Sequence, residues 1–420
     1  MLKPWQLLTA RGWTFLVAGV VGTIAAMSFG QRDLVWLFAL LVLLPVAAVV
    51  VVGRSRMQLA CERRLEPGRT AIGERLIAHL DLTKRDQWPL GLLRFEETVP
   101  RELGRRPRFT VHQFTGEWTR RVSYPLVGLA RGRYTVGPLL VRAQDPFGLA
   151  HIDRRFRSVR EVMITPRVVP LSSMSTAPGS GQSGESTPQK IGLVGQDDVL
   201  VREYRAGDDV RRIHWRSTAR RDEIMVRREE QAWDPAATLF LDNRPASHAG
   251  QGRENSFEWA VSALASIGMH MIRSGFRTTV VDCEGQLLEA SSQDPAAARE
   301  ALLVAMTDED FSQTTDLKVA TEACGQYKAG DMMVAVMGRL TQADVQALVT
   351  MRARRSQGLA LVLDVDTFTA RRFRGTPEQA DEHQASIDLL RRHAWRVVDV
   401  KHSMGVDEAW RSLDRMGASL

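Results

Sequence analysis

Hydrophobic and polar positions change rhythm several times along the chain. Trp13 to Phe29 and Leu34 to Val52 are runs of 17 and 19 residues without a charge. At ~1.5 Å rise per residue, each predicts a helix close to the ~30 Å thickness of a bilayer's hydrocarbon core. From Met57 to Leu171 the runs are short, alternating and broken by Gly and Pro. Glu74 to Leu82 sets Leu76, Leu80 and Leu82 on one face, Arg133 to Val141 reads as a strand or a pair of strands, and Glu161 to Pro166 as another. Asp145 to Leu149 reads as a turn between strands. This texture predicts a β-sandwich of roughly seven strands. After Trp233 it changes again. Thr238 to Leu241, Thr278 to Val281, Met332 to Met337, Leu359 to Leu363 and Arg396 to Val400 are apolar runs of strand length. Phe257 to Ser274, Pro295 to Met306, Thr341 to Arg355 and Glu382 to His393, lying between them, have helical length and spacing. That alternation predicts an open, mostly parallel α/β sheet with helices on both faces.

The two uncharged runs are separated only by Gly30-Gln31-Arg32-Asp33, which favours a helical hairpin. Lys3, Arg11 and the Ala25-Ala26-Met27-Ser28 stretch would suit a cleaved signal peptide, but the second run argues against one. Basic residues flank both outer ends, Lys3 and Arg11 before and Arg54, Arg56, Arg63 and Arg64 after. By the positive-inside rule, both ends of the hairpin and everything after residue 53 should face the cytoplasm from the inner membrane. The expected class is a membrane-anchored multidomain chain. Its parts are a transmembrane hairpin (1–56), a β-sandwich (57–171), a flexible linker (172–190), a densely charged segment (191–232) and an α/β open-sheet domain (233–420). The linker contains Gly179, Gly181 and Gly184 at dinucleotide-fingerprint spacing. Pro188 and polar residues follow where a helix would have to hold a pyrophosphate, so it reads as a loop.

Asp197 to Gln231 holds nine Arg and nine Asp or Glu. A neutral sum does not suit a nucleic-acid arm, and Tyr204, Ile213 and Trp215 at intervals do not suit a disordered polyampholyte, so the segment should fold. Val199 to Tyr204 alternates like a strand, Ala206-Gly207-Asp208 reads as a turn, and a second strand, Ile224 to Arg227, follows a turn at Arg221-Asp222. Between them Asp208 or Asp209 can cap a short helix from Val210, with Val210, Ile213 and Ser217 on its inner face and Trp215 anchoring it. The run R-E-Y-x-x-G-D-x-x-R-x-I-x-W-x-x-x-A-R, from Arg202 to Arg220, resembles the signature of the domain-of-unknown-function 58 family. Its candidate residues are Arg202, Glu203, Tyr204, Gly207, Asp208, Arg211, Arg212, His214, Trp215, Ala219 and Arg220, forming either a docking surface or a buried ion-pair network. The resemblance implies a membrane anchor, a von Willebrand factor A-like domain after the signature, and a MoxR-type AAA+ ATPase as partner. It also implies a metal site on an Asp-x-Ser-x-Ser turn, with an acid after the central strand. Here the turn is Asp242-Asn243-Arg244-Pro245-Ala246, and Met337-Gly338-Arg339 replaces the acid. With Arg244 and Arg339 beside one carboxylate, the site at Asp242 is degenerate and no metal is expected.

Composition adds limits. Cys61, Cys283 and Cys324 are far apart and lack C-x-x-C spacing, which argues for a reducing compartment and against a disulfide framework or zinc. The net charge of +7 conceals a polarity: residues 54–170 carry 23 basic and 12 acidic side chains, residues 234–420 carry 20 and 26. With 50 Arg to 6 Lys, part of the excess is residue usage. Under a membrane it also suits an anionic leaflet, at ~1 kcal/mol per basic residue reaching the surface. A nucleic-acid-binding alternative is weakened by the neutral signature and the lack of aromatics interleaved with the basic residues. His214 beside Asp208 or Asp209 can act as a base, but no nucleophile or oxyanion device accompanies it, and no G-x-S-x-G, H-E-x-x-H or P-loop run occurs. The expected function is a non-enzymatic adaptor or scaffold without cofactor, nucleic acid or small-molecule substrate, docking its partner in envelope or complex assembly. A metal-dependent ligand-binding A-type domain is the remaining alternative.

Overall fold

The computed structural model describes residues 6–54, 59–85, 92–112, 117–174, 201–204, 213–221, 223–227, 235–252, 255–290, 293–326, 332–353, 355 and 357–418. The chain divides into two compact units, one of Met1–Val168, Gln251–Glu254 and Leu303–Asp310, the other of Val169–Gly250, Asn255–Leu302 and Phe311–Leu420.

The first unit opens with α1 (Ala10–Ser28) and α2 (Arg32–Arg54), both long and apolar enough to cross a membrane. Thr9 caps α1, its Oγ1 accepting from the Gly12 amide at 3.1 Å. Small residues let the helices approach closely: a side chain at Gly22 would strike the Phe38 ring, and one at Gly19 would strike Val42. Ten strands follow among the described residues: β1 (Leu59–Glu66), β2 (Arg69–Ala71), β3 (Arg75–Lys84), β4 (Leu92–Glu97), β5 (Arg108–His112), β6 (Trp118–Val127), β7 (Gly132–Val136), β8 (Leu139–Gln144), β9 (His151–Phe156) and β10 (Arg160–Thr165). They form sheets β1-β3-β6, β5-β4-β8-β9 and β2-β10-β7, antiparallel except where β2 meets β10.

Period-two alternation turns Leu76, Ala78, Leu80 and Leu82 of β3, Leu93 and Phe95 of β4 and Leu139, Val141 and Ala143 of β8 into one core. The strand count exceeds the expected seven for two reasons. Short or charge-rich strands such as β2 and β9, where Ile152 is the buried position, carry faint alternation. The run expected from Arg133 to Val141 also breaks at Gly137-Pro138, and its halves, β7 and β8, join different sheets. Leu7, Ala48 and Val52 enter the same core, so the end of α2 is part of the β-domain's interior. Arg63 and Glu97 lie in it too, fully buried and 2.6 Å apart. Burial pushes the Glu97 carboxyl upward, against the pull of Arg63.

In the second unit β11 (Val201–Glu203) pairs antiparallel with β12 (Met225–Arg227), and α3 (Trp215–Arg221) lies between them in sequence. The main sheet contains β13 (Ala236–Leu241), β14 (Arg277–Asp282), β15 (Gly285–Ala290), β16 (Met332–Met337), β17 (Gln357–Leu363) and β18 (Trp395–Val400). Its order is β15-β14-β13-β16-β17-β18, parallel throughout except for the edge strand β15. The inner strands are buried along nearly their whole length, as a sheet covered on both faces requires. One face packs α4 (Ser256–Arg273) and α9 (Val406–Ala418), with α5 (Pro295–Asp308) set against α4 by Leu302 at Gly268. The other packs α6 (Lys318–Gln326), α7 (Gln342–Arg352) and α8 (Pro377–Arg392). The chain leaves β13 toward β14 and later returns to β16 on its other side. Connections therefore diverge at the carboxyl ends of β13 and β16, which opens a crevice there.

Candidate functional site: an arginine bridge at the sheet's switch point

Beyond β13, Asp242, Asn243 and Arg244 are buried, and a short 3-10 turn, Pro245–Ser247, follows. The Asp242 amide donates to Val336 O at 3.0 Å, and the Arg339 amide to Ser247 O at 2.7 Å, so both strand ends are tied together. Gly338 is required by this approach, because a Cβ there would collide with the Ser247 carbonyl. Arg244 donates from Nε to Asp242 Oδ1 at 2.8 Å and from Nη2 to Asp242 Oδ2 at 2.9 Å. Its Nη1 reaches Asp344 Oδ1 at 2.7 Å. Asp344 is held in turn by the capping box of α7, its Oδ2 accepting from the Thr341 amide at 3.0 Å. One guanidinium thus joins two buried carboxylates across the crevice.

Burial pushes Asp242 toward the neutral acid, but the hydrogen bonds and charge of Arg244 outweigh it and hold the carboxyl below its usual range. Burial likewise opposes the Arg244 charge, and the two carboxylates more than reverse this. His248 Nε2 donates to Asp242 O at 2.7 Å, and its Nδ1 lies 3.0 Å from Ser256 Oγ. Burial keeps this imidazole below its ordinary pKa. Cys283, with Sγ 3.6 Å from Asp242 Oδ1, is raised chiefly by burial and stays a neutral thiol.

This differs from the expectation of one carboxylate crowded by two arginines. Arg339 turns away, its Nη2 2.6 Å from Asp366 Oδ1 and its Nη1 2.9 Å from Gln379 Oε1. The second carboxylate of the bridge is Asp344. Thr341-x-x-Asp344 is visible as a capping box, but nothing local points to a partner 100 residues earlier. Among the described residues no group of three or more His, Cys, Asp and Glu is arranged to hold a metal ion. Above the bridge opens a cleft of 680 Å³ between α6, α7 and the start of α8, lined by Arg244, Leu317, Lys318, Arg339, Leu340 and Ala347 among others.

The charged motif departs from expectation at its helix. Ile213 makes a β-bridge to Val226, so no inner helical face carries it, and α3 starts only at Trp215. His214 is the cap: its carbonyl accepts from Thr218 N at 3.0 Å and its Nδ1 from Ser217 N at 3.3 Å. The imidazole supports the turn, and among the described residues of the motif the buried apolar ones are Met225 and Val226. Trp215, expected as an anchor, is instead 71% exposed at the first position of a seven-residue helix that buries none of its residues. Glu203, Arg216, Ala219, Arg220 and Arg221 are exposed and Tyr204 is half-buried. For Arg202 only the backbone is described; Gly207, Asp208, Arg211, Arg212 and the expected turn lie outside the described residues, as does most of the linker.

Two apolar helices, a β-domain and a doubly wound α/β domain with an arginine-bridged switch point define the class of this chain. Residues 200–371 match the family described as "Protein of unknown function DUF58", so a DUF58 domain runs from the β11–α3–β12 motif through β17. The chain is 24% identical over 287 residues to Uncharacterized protein YeaD of Bacillus subtilis (strain 168), covering 66% of this chain and 69% of that one. Among solved structures, Pseudomonas fluorescens alkylpurine DNA glycosylase AlkC bound to abasic-site DNA aligns at 12% identity over 30% of this chain and 39% of that one. Its TM-score of 0.15 gives no basis for comparing folds.

Proposed function

We propose that the protein is a membrane-anchored, cytoplasm-facing adaptor that docks a partner protein through α3, and that the partner is a MoxR-type AAA+ ATPase. One observation carries this reading. Trp215 stands exposed on a two-turn helix beside Arg216, Arg220 and Arg221, and Trp with Arg is the composition of protein-binding hot spots. A buried ion-pair network would place these arginines inside. The strand order, with one antiparallel edge strand, supports reading the α/β unit as von Willebrand factor A-like, with Arg244 standing where such a domain would hold a cation. No catalytic role is assigned in this reading.

Two measurements test it. Arg216→Glu and Arg220→Glu should leave thermal unfolding of the detergent-solubilised protein unchanged while abolishing co-purification of the ATPase. Loss of stability would return the motif to a structural network, and unchanged co-purification would reduce it to a solvated surface. For orientation, a reporter fused after Leu420 should be active in the cytoplasm, and periplasmic activity would reverse the placement.

A further inference from the structure

The turn between β8 and β9 is tightly built. Asp145 is buried; its Oδ2 accepts from the Phe147 amide at 2.9 Å and its Oδ1 from the Ala150 amide at 2.6 Å. Gly148 takes a φ of +69°, which favours glycine, and donates to Asp145 O at 3.1 Å. The result holds Phe147 at the tip, 68% exposed.

This turn is also fastened to the start of α1. The Thr9 amide donates to Leu149 O at 2.9 Å, Thr9 Oγ1 to Gly148 O at 2.7 Å, and the His151 amide to Leu7 O at 2.7 Å. Gly12 lies so close to Leu149 that any side chain there would collide with its carbonyl. The height of the turn along the helix axis is therefore set. Trp13, where the uncharged run begins, is four residues past Thr9, ~6 Å along the axis at ~1.5 Å per residue. The polar layer on each side of a ~30 Å hydrocarbon core is ~5–8 Å thick. The turn falls within that layer, where aromatic side chains are favoured, and exposed Arg11 at the same level can reach headgroup phosphates.

We propose that Phe147 is a membrane-interface anchor: the Asp145–Leu149 turn seats its ring among lipid headgroups beside α1 and so fixes the β-domain against the bilayer surface. This rests on the reading that α1 and α2 cross the membrane.

The test uses the full chain with Cys61→Ser, Cys283 and Cys324 being buried, in phosphatidylcholine–phosphatidylglycerol vesicles. An NBD fluorophore is placed in turn on Phe147→Cys, on Val159→Cys beyond the far end of β9, and on Val21→Cys within α1. A nitroxide at a shallow acyl position should extinguish most emission from position 147 and leave position 159 unchanged, with aqueous iodide doing the reverse. Position 21 should respond to a deep nitroxide. Iodide quenching at 147 equal to that at 159, with position 21 still lipid-quenched, overturns this proposal alone. Protection of 147 from both quenchers means protein covers it, which also overturns the proposal. Loss of lipid quenching at 21 overturns both it and the membrane-crossing reading.

Discussion

Replacing Arg244 with alanine should destabilise the α/β unit by ~3–5 kcal/mol, read as a fall in its unfolding midpoint, because two buried carboxylates lose their shared counter-charge. The loss should also depend on pH in a defined direction. In the wild type Asp242 is held below its usual pKa by Arg244. A depressed carboxyl contributes stability above its unfolded value of ~3.9, and that contribution is lost as pH falls through the folded value. Without Arg244, burial is opposed on Asp242 only by the weaker pull of His248 and raises the carboxyl, so the variant should gain stability as pH falls from neutrality toward ~4. The two curves should converge in acid. Removing the guanidinium leaves the two carboxylates that both hydrogen-bond it, Asp242 and Asp344, without a cation between them, and hard cations prefer such oxygen ligands. Millimolar Mg²⁺ should then raise the variant's midpoint and leave the wild type's unchanged. A destabilisation under ~1 kcal/mol, the range of exposed ion pairs, would show that the bridge does not hold the switch point together.

Trp410→Ala should cost ~3–5 kcal/mol, whereas Trp215→Ala should change stability by no more than ~0.5 kcal/mol. Trp410 of α9 is fully buried, its Nε1 donates to Ser172 O at 2.9 Å, and its ring meets His270 edge-on at 5.8 Å. Removing it opens a cavity and leaves the Ser172 carbonyl without its donor. Trp215 buries little, so its replacement should appear in partner binding. Urea unfolding of both variants under one condition decides this, and equal losses would mean that Trp215 is packed in solution.

That contrast shows where the sequence was legible. Five strands of the α/β sheet and four of its helices appear as apolar runs with the right period, since strands covered on both faces need continuous apolar residues. β15 is less visible because it is a hairpin partner on the edge, and its clue is local: Asp282 Oδ1 accepts from the Glu284 and Gly285 amides, both at 2.9 Å, at a glycine turn. α6 buries only Ala320 and Cys324. α9 buries Val406, Ala409, Trp410 and Leu413 on one face, but the charged residues between them break up the apolar run. At the site, Asp242 and Arg244 were legible as neighbours on one turn. Asp344 was not, because its meeting with Arg244 depends on how β16 lies beside β13. Trp215 is illegible in this respect, because a tryptophan inside a charged run has the same sequence signature whether its helix turns it inward or outward.

The sharing of one core by Leu7, Ala48, Val52 and the β-strands bears on how this protein comes apart. Helices joined to a domain by a bare linker could be removed by protease or by gene truncation without harm. Here a cut at residue 57 would strip those side chains from the interior and expose apolar strand faces to water, so a fragment starting there should aggregate. The β-domain and the hairpin should unfold as one cooperative block, and the melting of that block should follow the thickness of the surrounding lipid.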